Sequence, residues 1–110
     1  MWHTNGTMAE WKFAQHDSSE ELARLHYFST IKIEAGEPVE FRITVREYIA
    51  PKDSSMQFLA EADKQVNQHA APFTPVGWGA TLLDALSACM ENIRRFPYEP
   101  AAMERRTNAG

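Results

Sequence analysis

Between Thr81 and Pro97 the apolar residues Leu82, Leu86, Cys89, Ile93 and Phe96 recur at helical spacing. Leu83 and Met90 widen that stripe, and Asp84, Ser87, Glu91, Asn92 and Arg95 make a polar side. Thr81 followed by Asp84 has the spacing of a capping box, with Asp standing for the usual Glu or Gln. Arg94 and Arg95 fall in the last turn, where cations suit the helix dipole. Pro97 biases the residue before it away from helix. The pattern predicts an amphipathic helix over 81–96, opened by a glycine turn at Gly77-Trp-Gly79.

Upstream the period changes to two. Val39, Phe41, Ile43, Val45 and Ile49 alternate with Glu40, Arg42, Thr44, Arg46 and Tyr48, with Glu47 alone breaking the apolar set. One face is apolar and one polar, as in an antiparallel strand packed on one side. Ile31 and Ile33 alternate with Thr30, Lys32 and Glu34, predicting a partner strand at about 28–35. Ala35-Gly-Glu-Pro38 is turn chemistry, which makes residues 28–49 a hairpin. Met56, Phe58, Ala60 and Ala62 alternate as a third strand over 56–62, although Ser54 and Gln57 could instead cap a helix through Leu59, Ala62 and Val66. Strand is preferred, because a two-stranded sheet is marginal alone. Ser18 and Glu21 form another capping-box spacing, predicting a short helix through Leu22, Ala23 and Leu25. Trp11 and Phe13 alternate over too short a run to define a strand. Residues 67–79, rich in Pro and Gly, read as an ordered connection anchored by Phe73, Val76 and Trp78.

The expected fold class is α+β: a three-stranded antiparallel sheet packed on a C-terminal amphipathic helix, in the order α-β-β-β-α. Residues 10–100 form one globular domain, with 1–9 and 103–110 as flexible termini. The chain has 110 residues, 44% of them hydrophobic and 24% charged, which is ordinary for a folded domain.

The helix opening Gly77-Trp-Gly-Ala-Thr-Leu-Leu-Asp-Ala-Leu, set after three strands, resembles the double-stranded-RNA-binding-like fold. Gly77, Gly79 and Thr81 fall on that family's Gly-x-Gly-x-Ser turn, and Ala85 on a small packing position. The lysines of its phosphate clamp are replaced by Leu82 and Leu83, so RNA binding is not carried over. Gly79, Thr81, Asp84, Ala85 and Leu86 are also similar to the Gly-x-Thr-x-x-Glu-Ala-Leu opening of the HicB family of antitoxins. The resemblance covers about twenty residues of 110. It implies that the chain binds a partner protein. Members of that family usually add a DNA-binding segment after this helix, for which too few residues follow here.

Charge and chemistry narrow the classes further. A net charge of −4 disfavours nucleic-acid binding, which needs a basic field. The single cysteine, Cys89, allows no internal disulfide and fits a reducing cytoplasm. The first residues lack the basic and apolar regions of a secretory signal, and no run approaches the length of a membrane span. Cys89 sits in mid-stripe, where a cysteine packs as a small hydrophobe rather than acting as a nucleophile. His3, His16, His26 and His69 have no metal-site spacing, so neither a metal nor a cofactor is expected. Glu61 and Asp63 read as a wet face more than as an acid–base pair. No phosphate-binding, dinucleotide or nucleophile-elbow motif occurs.

What remains is a candidate partner-binding set: Arg42, Arg46 and Tyr48 on the outer face of the long strand, and, separately, Phe73, Pro75 and Trp78 with the edge strands. Glu40 and Glu47 suggest cross-strand ion pairs there, and core packing competes for Trp78. The chain reads as a non-enzymatic interaction module with a protein partner or a homo-oligomeric state. Nucleic-acid binding through Arg42, Arg46 and Tyr48, or a small enzyme or ligand binder with a pocket under the 67–79 connection, are the alternatives.

Overall fold

The computed structural model describes residues 11, 14–15, 17, 19–69 and 71–98. Strands β1 (Ala23–Glu34), β2 (Glu37–Tyr48), β3 (Phe58–Ala62) and β6 (Val76–Gly79) form one antiparallel sheet in the order β1-β2-β3-β6. Strands β4 (Val66–Gln68) and β5 (Ala71–Phe73) form a small separate hairpin. Helix α1 (Leu82–Arg95) packs chiefly on β6 and β3, and at its margin on β2.

The helix starts as its sequence dictates. The Thr81 hydroxyl accepts the Asp84 amide at 3.1 Å, satisfying one of the orphan donors of the first turn. Ala85, Cys89 and Ile93 are buried against Phe41, Ile43, Val45, Ala60 and Ala62. Leu82, Leu86, Met90 and Phe96 pack around that centre. Leu83 does not belong to the stripe; it is exposed. After Pro97 the chain turns back, and Tyr98 lays its ring edge-on to Phe41 with centroids 5.9 Å apart.

Three sequence expectations need correction. The sheet has four strands, not three. The fourth, β6, is Val76-Gly-Trp-Gly79, expected as part of a connection and a glycine turn. Its inward positions are glycines because helix α1 lies directly on its backbone. The predicted short helix through Ala23 and Leu25 is instead the start of β1, whose residues pair one by one with β2 from Ala23↔Tyr48 to Glu34↔Glu37. Ala and Leu favour helix, but twelve consecutive partners on β2 outweigh so small a propensity. Among the described residues the α-β-β-β-α order does not hold, since six strands precede the helix. The capping residue Ser18, Phe13 and the termini 1–9 and 103–110 lie outside the described residues. Third, the 67–79 connection holds the β4–β5 hairpin.

The facing of β1 follows from its pairing. Register places Thr30 opposite Phe41 and Lys32 opposite Val39, so the polar set of β1 shares the helix side of the sheet. Tyr27, Ile31 and Ile33 face away from the helix. On the helix side Lys32 Nζ donates to the carbonyls of Ile93 and Phe96 at 2.7 and 2.6 Å. Glu34 pairs with Lys32 at 2.7 Å and accepts the Tyr98 amide at 3.1 Å. Glu47, which interrupts the apolar side of β2, is accounted for by His26, whose Nε2 lies 2.9 Å from its carboxylate.

The hairpin turn sets this register. Ala35 and Gly36 both have positive φ, 52° and 79°, so the two-residue turn is of the primed kind that matches strand twist. Glycine adopts this conformation freely, whereas alanine is strained there by about 1–2 kcal/mol. Ala35→Asn should therefore stabilise the protein by about 0.5–1 kcal/mol, read as a raised denaturation midpoint. Gly36→Ala should cost about 1 kcal/mol. Because nothing lies within 4 Å of its added Cβ, that cost is purely conformational.

Candidate functional site

Helix α1 lies on one face of the sheet, and no element of the described residues packs on the other. Alternation places Leu25, Tyr27, Ile31 and Ile33 of β1 there, with Arg42, Arg46 and Tyr48 of β2, Leu59 and Glu61 of β3, and Val76 and Trp78 of β6. Several of these are large and apolar yet exposed: Tyr27 71%, Ile33 66%, Ile31 63% and Trp78 43%. Single exposed hydrophobics are common on soluble proteins. A set sharing one uncovered sheet face is not, and such patches mark interaction surfaces.

The aromatic centre of the face is built across β3. Tyr48 on β2 and Trp78 on β6 lean towards each other, their rings 6.3 Å apart and nearly parallel at 18°. Beside them Arg46 reaches Glu61 at 3.1 Å, the cross-strand ion pair expected for a solvated face. The Arg42 side chain is highly exposed, its guanidinium 3.7 Å from the Glu40 carboxylate. The carboxylates of Glu40 and Glu61 interleave with both arginines, so the face is mixed rather than basic.

Below the aromatic pair the face ends in a hollow of about 380 Å³, lined by Leu22, Tyr48, Pro51, Lys52, Met56 and Trp78 among others. The 3-10 turn Ser54–Met56 closes one side of it, started by Asp53, which accepts the Ser55 amide and hydroxyl at 2.9 and 2.7 Å. Those two bonds hold the Asp53 carboxyl below its ordinary range. The hollow lies at the Tyr48–Trp78 end of the sheet, so the pocket expected under the 67–79 connection is formed largely by other segments.

Of the residues expected to bind a partner, four share this face: Arg42, Arg46, Tyr48 and Trp78. Phe73 does not. It lies on β5, packed edge-on to Phe96 at 5.2 Å and joined to the core. Tyr27, Ile31 and Ile33 extend the face and were not among the expected residues. The signal for them was the alternation in β1. Using it required knowing which side the helix takes.

The other candidate groups have structural partners. Asp63 and Glu61 do not act as a carboxylate pair, since Glu61 holds Arg46 and Asp63 accepts the Arg42 amide at 2.9 Å. Burial pushes the Asp63 carboxyl up, but the Arg42 amide and Lys64 overcome it and hold the group below its usual range. Among the described residues no three His, Cys, Asp or Glu side chains cluster as a metal site. Among the described residues no helix is long and apolar enough to cross a membrane.

Cys89 is fully buried, its Sγ 3.4 Å from the Pro75 carbonyl. Burial pushes the thiol up to about 11, against the lowering effect of the Ala62 backbone. The thiolate, which is the nucleophile, is thus disfavoured. A thiol reagent should leave the native chain unmodified at neutral pH and label it fully in denaturant. A raised native value means that stability is whole below the ordinary value of 9.0 and falls as pH rises from there towards about 11. Cys89→Ala should flatten that alkaline decline. Rapid native labelling of Cys89 at neutral pH would contradict this account.

Comparison of the chain with family models, curated proteins and solved structures finds no match.

Proposed function

We propose that this chain is a non-enzymatic protein-interaction module, antitoxin-like in working by occupying a partner protein, with the open sheet face as its docking surface. The observation that carries the reading is the asymmetry of the sheet. One face carries α1 across β6, β3 and the margin of β2, while the other leaves Tyr27, Ile31, Ile33 and Trp78 in water beside Arg42 and Arg46. Aromatic and arginine side chains are enriched where binding energy concentrates. The carboxylates of Glu40 and Glu61 would set the register of a partner rather than supply the affinity. A cytoplasmic location, which a single unpaired cysteine supports, belongs to the same reading.

The test is affinity capture from the source cell with the native chain and with Tyr48→Ala plus Trp78→Ala. Both residues are partly exposed, so the variant should stay folded with nearly unchanged melting. It should lose whatever protein the native chain retains. Equal recovery of the same proteins by both would remove the basis of the proposal.

The hollow beneath the stacked Tyr48 and Trp78 favours a second reading, a site for a small planar ligand held against the aromatic pair. It is separated from the first by binding of small aromatic compounds in ligand-observed NMR, lost in Trp78→Ala. Nucleic-acid binding draws support only from Arg42 and Arg46. A salt-dependent gel shift abolished by Arg42→Glu plus Arg46→Glu would be needed to sustain it.

A further inference from the structure

Strand β1 is the edge of the main sheet, and no strand of the described residues pairs with its outer side. It is twelve residues long and carries five apolar side chains larger than alanine: Leu25, Tyr27, Phe28, Ile31 and Ile33. Natural edge strands are normally short, charged or covered, because an open row of amide groups recruits another strand. Its charged side chains, Arg24, Lys32 and Glu34, all lie on the helix side, and the open side of this edge is apolar apart from Ser29.

Its hydrogen-bonding parity is fixed by the hairpin. The two-residue turn makes Glu34 and Glu37 the closing bonded pair, so alternate residues of β1 from Glu34 back point their N–H and C=O groups at β2. The far end agrees, since the Ile49 amide donates to the Leu22 carbonyl at 3.0 Å. Leu25, Tyr27, Ser29, Ile31 and Ile33 therefore present their backbone groups outward.

We infer that this edge binds a second copy of the chain, β1 against β1 in antiparallel register with Ser29 on the two-fold axis, giving one continuous eight-stranded sheet. The inference goes beyond the docking role of the open face, using the strand's edge rather than the Tyr48–Trp78 centre. The sequence of β1 selects this register. With Ser29 opposite itself, Tyr27 faces Ile31 and Leu25 faces Ile33, each pair occurring twice by symmetry. On the helix side Arg24 faces Glu34, opposite in charge, and Phe28 faces Thr30. The two Phe28 rings then lie diagonally across the axis, where each is 37% exposed in the single chain. His26 faces Lys32, whose ammonium is already turned onto the helix carbonyls.

Neighbouring registers are worse. Centred on Phe28, the pairing sets Arg24 against Lys32. Centred on Thr30, it sets Ile31 against Ser29 and Leu25 against the turn. Centred on Tyr27, it sets Ile33 against Glu21 and Leu25 against Ser29. Only the Ser29 register gives every apolar side chain of the open face an apolar partner and matches opposite charges. It also joins the two open faces into one larger surface.

The test uses the full chain. Analytical ultracentrifugation should give twice the chain mass at micromolar concentration. Ser29→Cys should form a disulfide-linked dimer on mild oxidation, because residues facing each other across a bonded pair lie within disulfide reach. Tyr27→Cys and Ile31→Cys should not cross-link alone, but should cross-link to each other when mixed. Buried Cys89 remains in every variant, and the native chain supplies the background. Ser29→Pro should give a folded monomer, since the amide it removes points away from β2. Should that variant fail to fold, Ile31→Lys takes its place.

A native chain that sediments as a monomer up to millimolar concentration overturns the inference. So does a dimer that cross-links at positions other than these. If the chain is monomeric and Tyr48→Ala plus Trp78→Ala still abolishes partner capture, self-pairing alone falls and the docking role of the face stands.

Discussion

Gly77→Ala is expected to be among the most destabilising single-methyl changes this chain can suffer. Placed on the observed backbone, the new Cβ would stand 2.3 Å from the Ala85 carbonyl oxygen, 2.5 Å from the Cys89 amide nitrogen and 2.8 Å from the Ala88 Cβ. Two of those atoms are helix backbone, so no rotamer change can relieve the overlap. Helix α1 must lift off β6, and in lifting it loosens Ala85 and Cys89 from the core they fill. Overpacking a well-filled interior typically costs about 1–3 kcal/mol and more where nothing can yield; about 4 kcal/mol is expected here. Against a total of about 5–15 kcal/mol for ordinary domains, that removes from about a quarter to most of the stability.

Gly79→Ala should follow closely, with its Cβ 2.6 Å from Asp84 Cβ and 2.7 Å from the Ala85 amide nitrogen. Gly36→Ala is the control, a glycine whose substitution meets no atom. Urea titrations of the three variants check the order. A Gly77→Ala midpoint near the native one would mean that the helix does not lie on β6 as described.

The same glycines explain what the sequence did and did not disclose. Helix α1 and strand β2 were readable because each sustains its period over a dozen or more residues, with Thr81 and Pro97 marking the ends of the helix. Strand β6 was hidden because the side chains that would have shown its alternation are absent. Gly77 and Gly79 hold the inward positions so that the helix backbone can approach, and a strand of Val-Gly-Trp-Gly reads as a turn. Strands β4 and β5 are three residues each and contain Pro72, too short for any period to emerge.

The candidate face was half legible for a related reason. Arg42, Arg46 and Tyr48 follow from the alternation of β2, whose apolar side must meet the helix. Ile31 and Ile33 look like core by the same logic and are not. Their side of β1 is fixed by pairing through the Ala35–Gly36 turn, which sets Lys32 opposite Val39. Phe73 lies off this face because its neighbour in space is Phe96, at the far end of the helix, rather than Trp78, its neighbour in sequence. Hydrophobic pattern identifies which residues share a side. Register and connection decide what that side meets.

Lys32 carries the second large effect. A lysine on the helix side of a sheet is costly unless its ammonium is satisfied, and here it has three partners. It donates to the Ile93 and Phe96 carbonyls at 2.7 and 2.6 Å and pairs with Glu34 at 2.7 Å. The carbonyls belong to the last turn of α1, where the helix dipole also favours a cation. Glu34 in turn accepts the Tyr98 amide and so ties down the segment after the helix.

Lys32→Met keeps the aliphatic stem and removes the charge. It leaves two carbonyls and a carboxylate without their donor. Losing one partner of such a group costs about 1–3 kcal/mol, and charged acceptors lie towards the upper end. Both side chains retain some contact with water, which lowers the figure, so about 2 kcal/mol is expected. Adding salt should narrow the gap between native and variant only in part, since it screens the Glu34 pair far more than the bonds to carbonyls.

A double-mutant cycle with Glu34→Gln isolates the ion pair. Amide exchange at Tyr98 reports the release of the segment after the helix. A loss in Lys32→Met below about 0.5 kcal/mol, the level of an ordinary surface substitution, would show that β1 does not anchor the end of the helix.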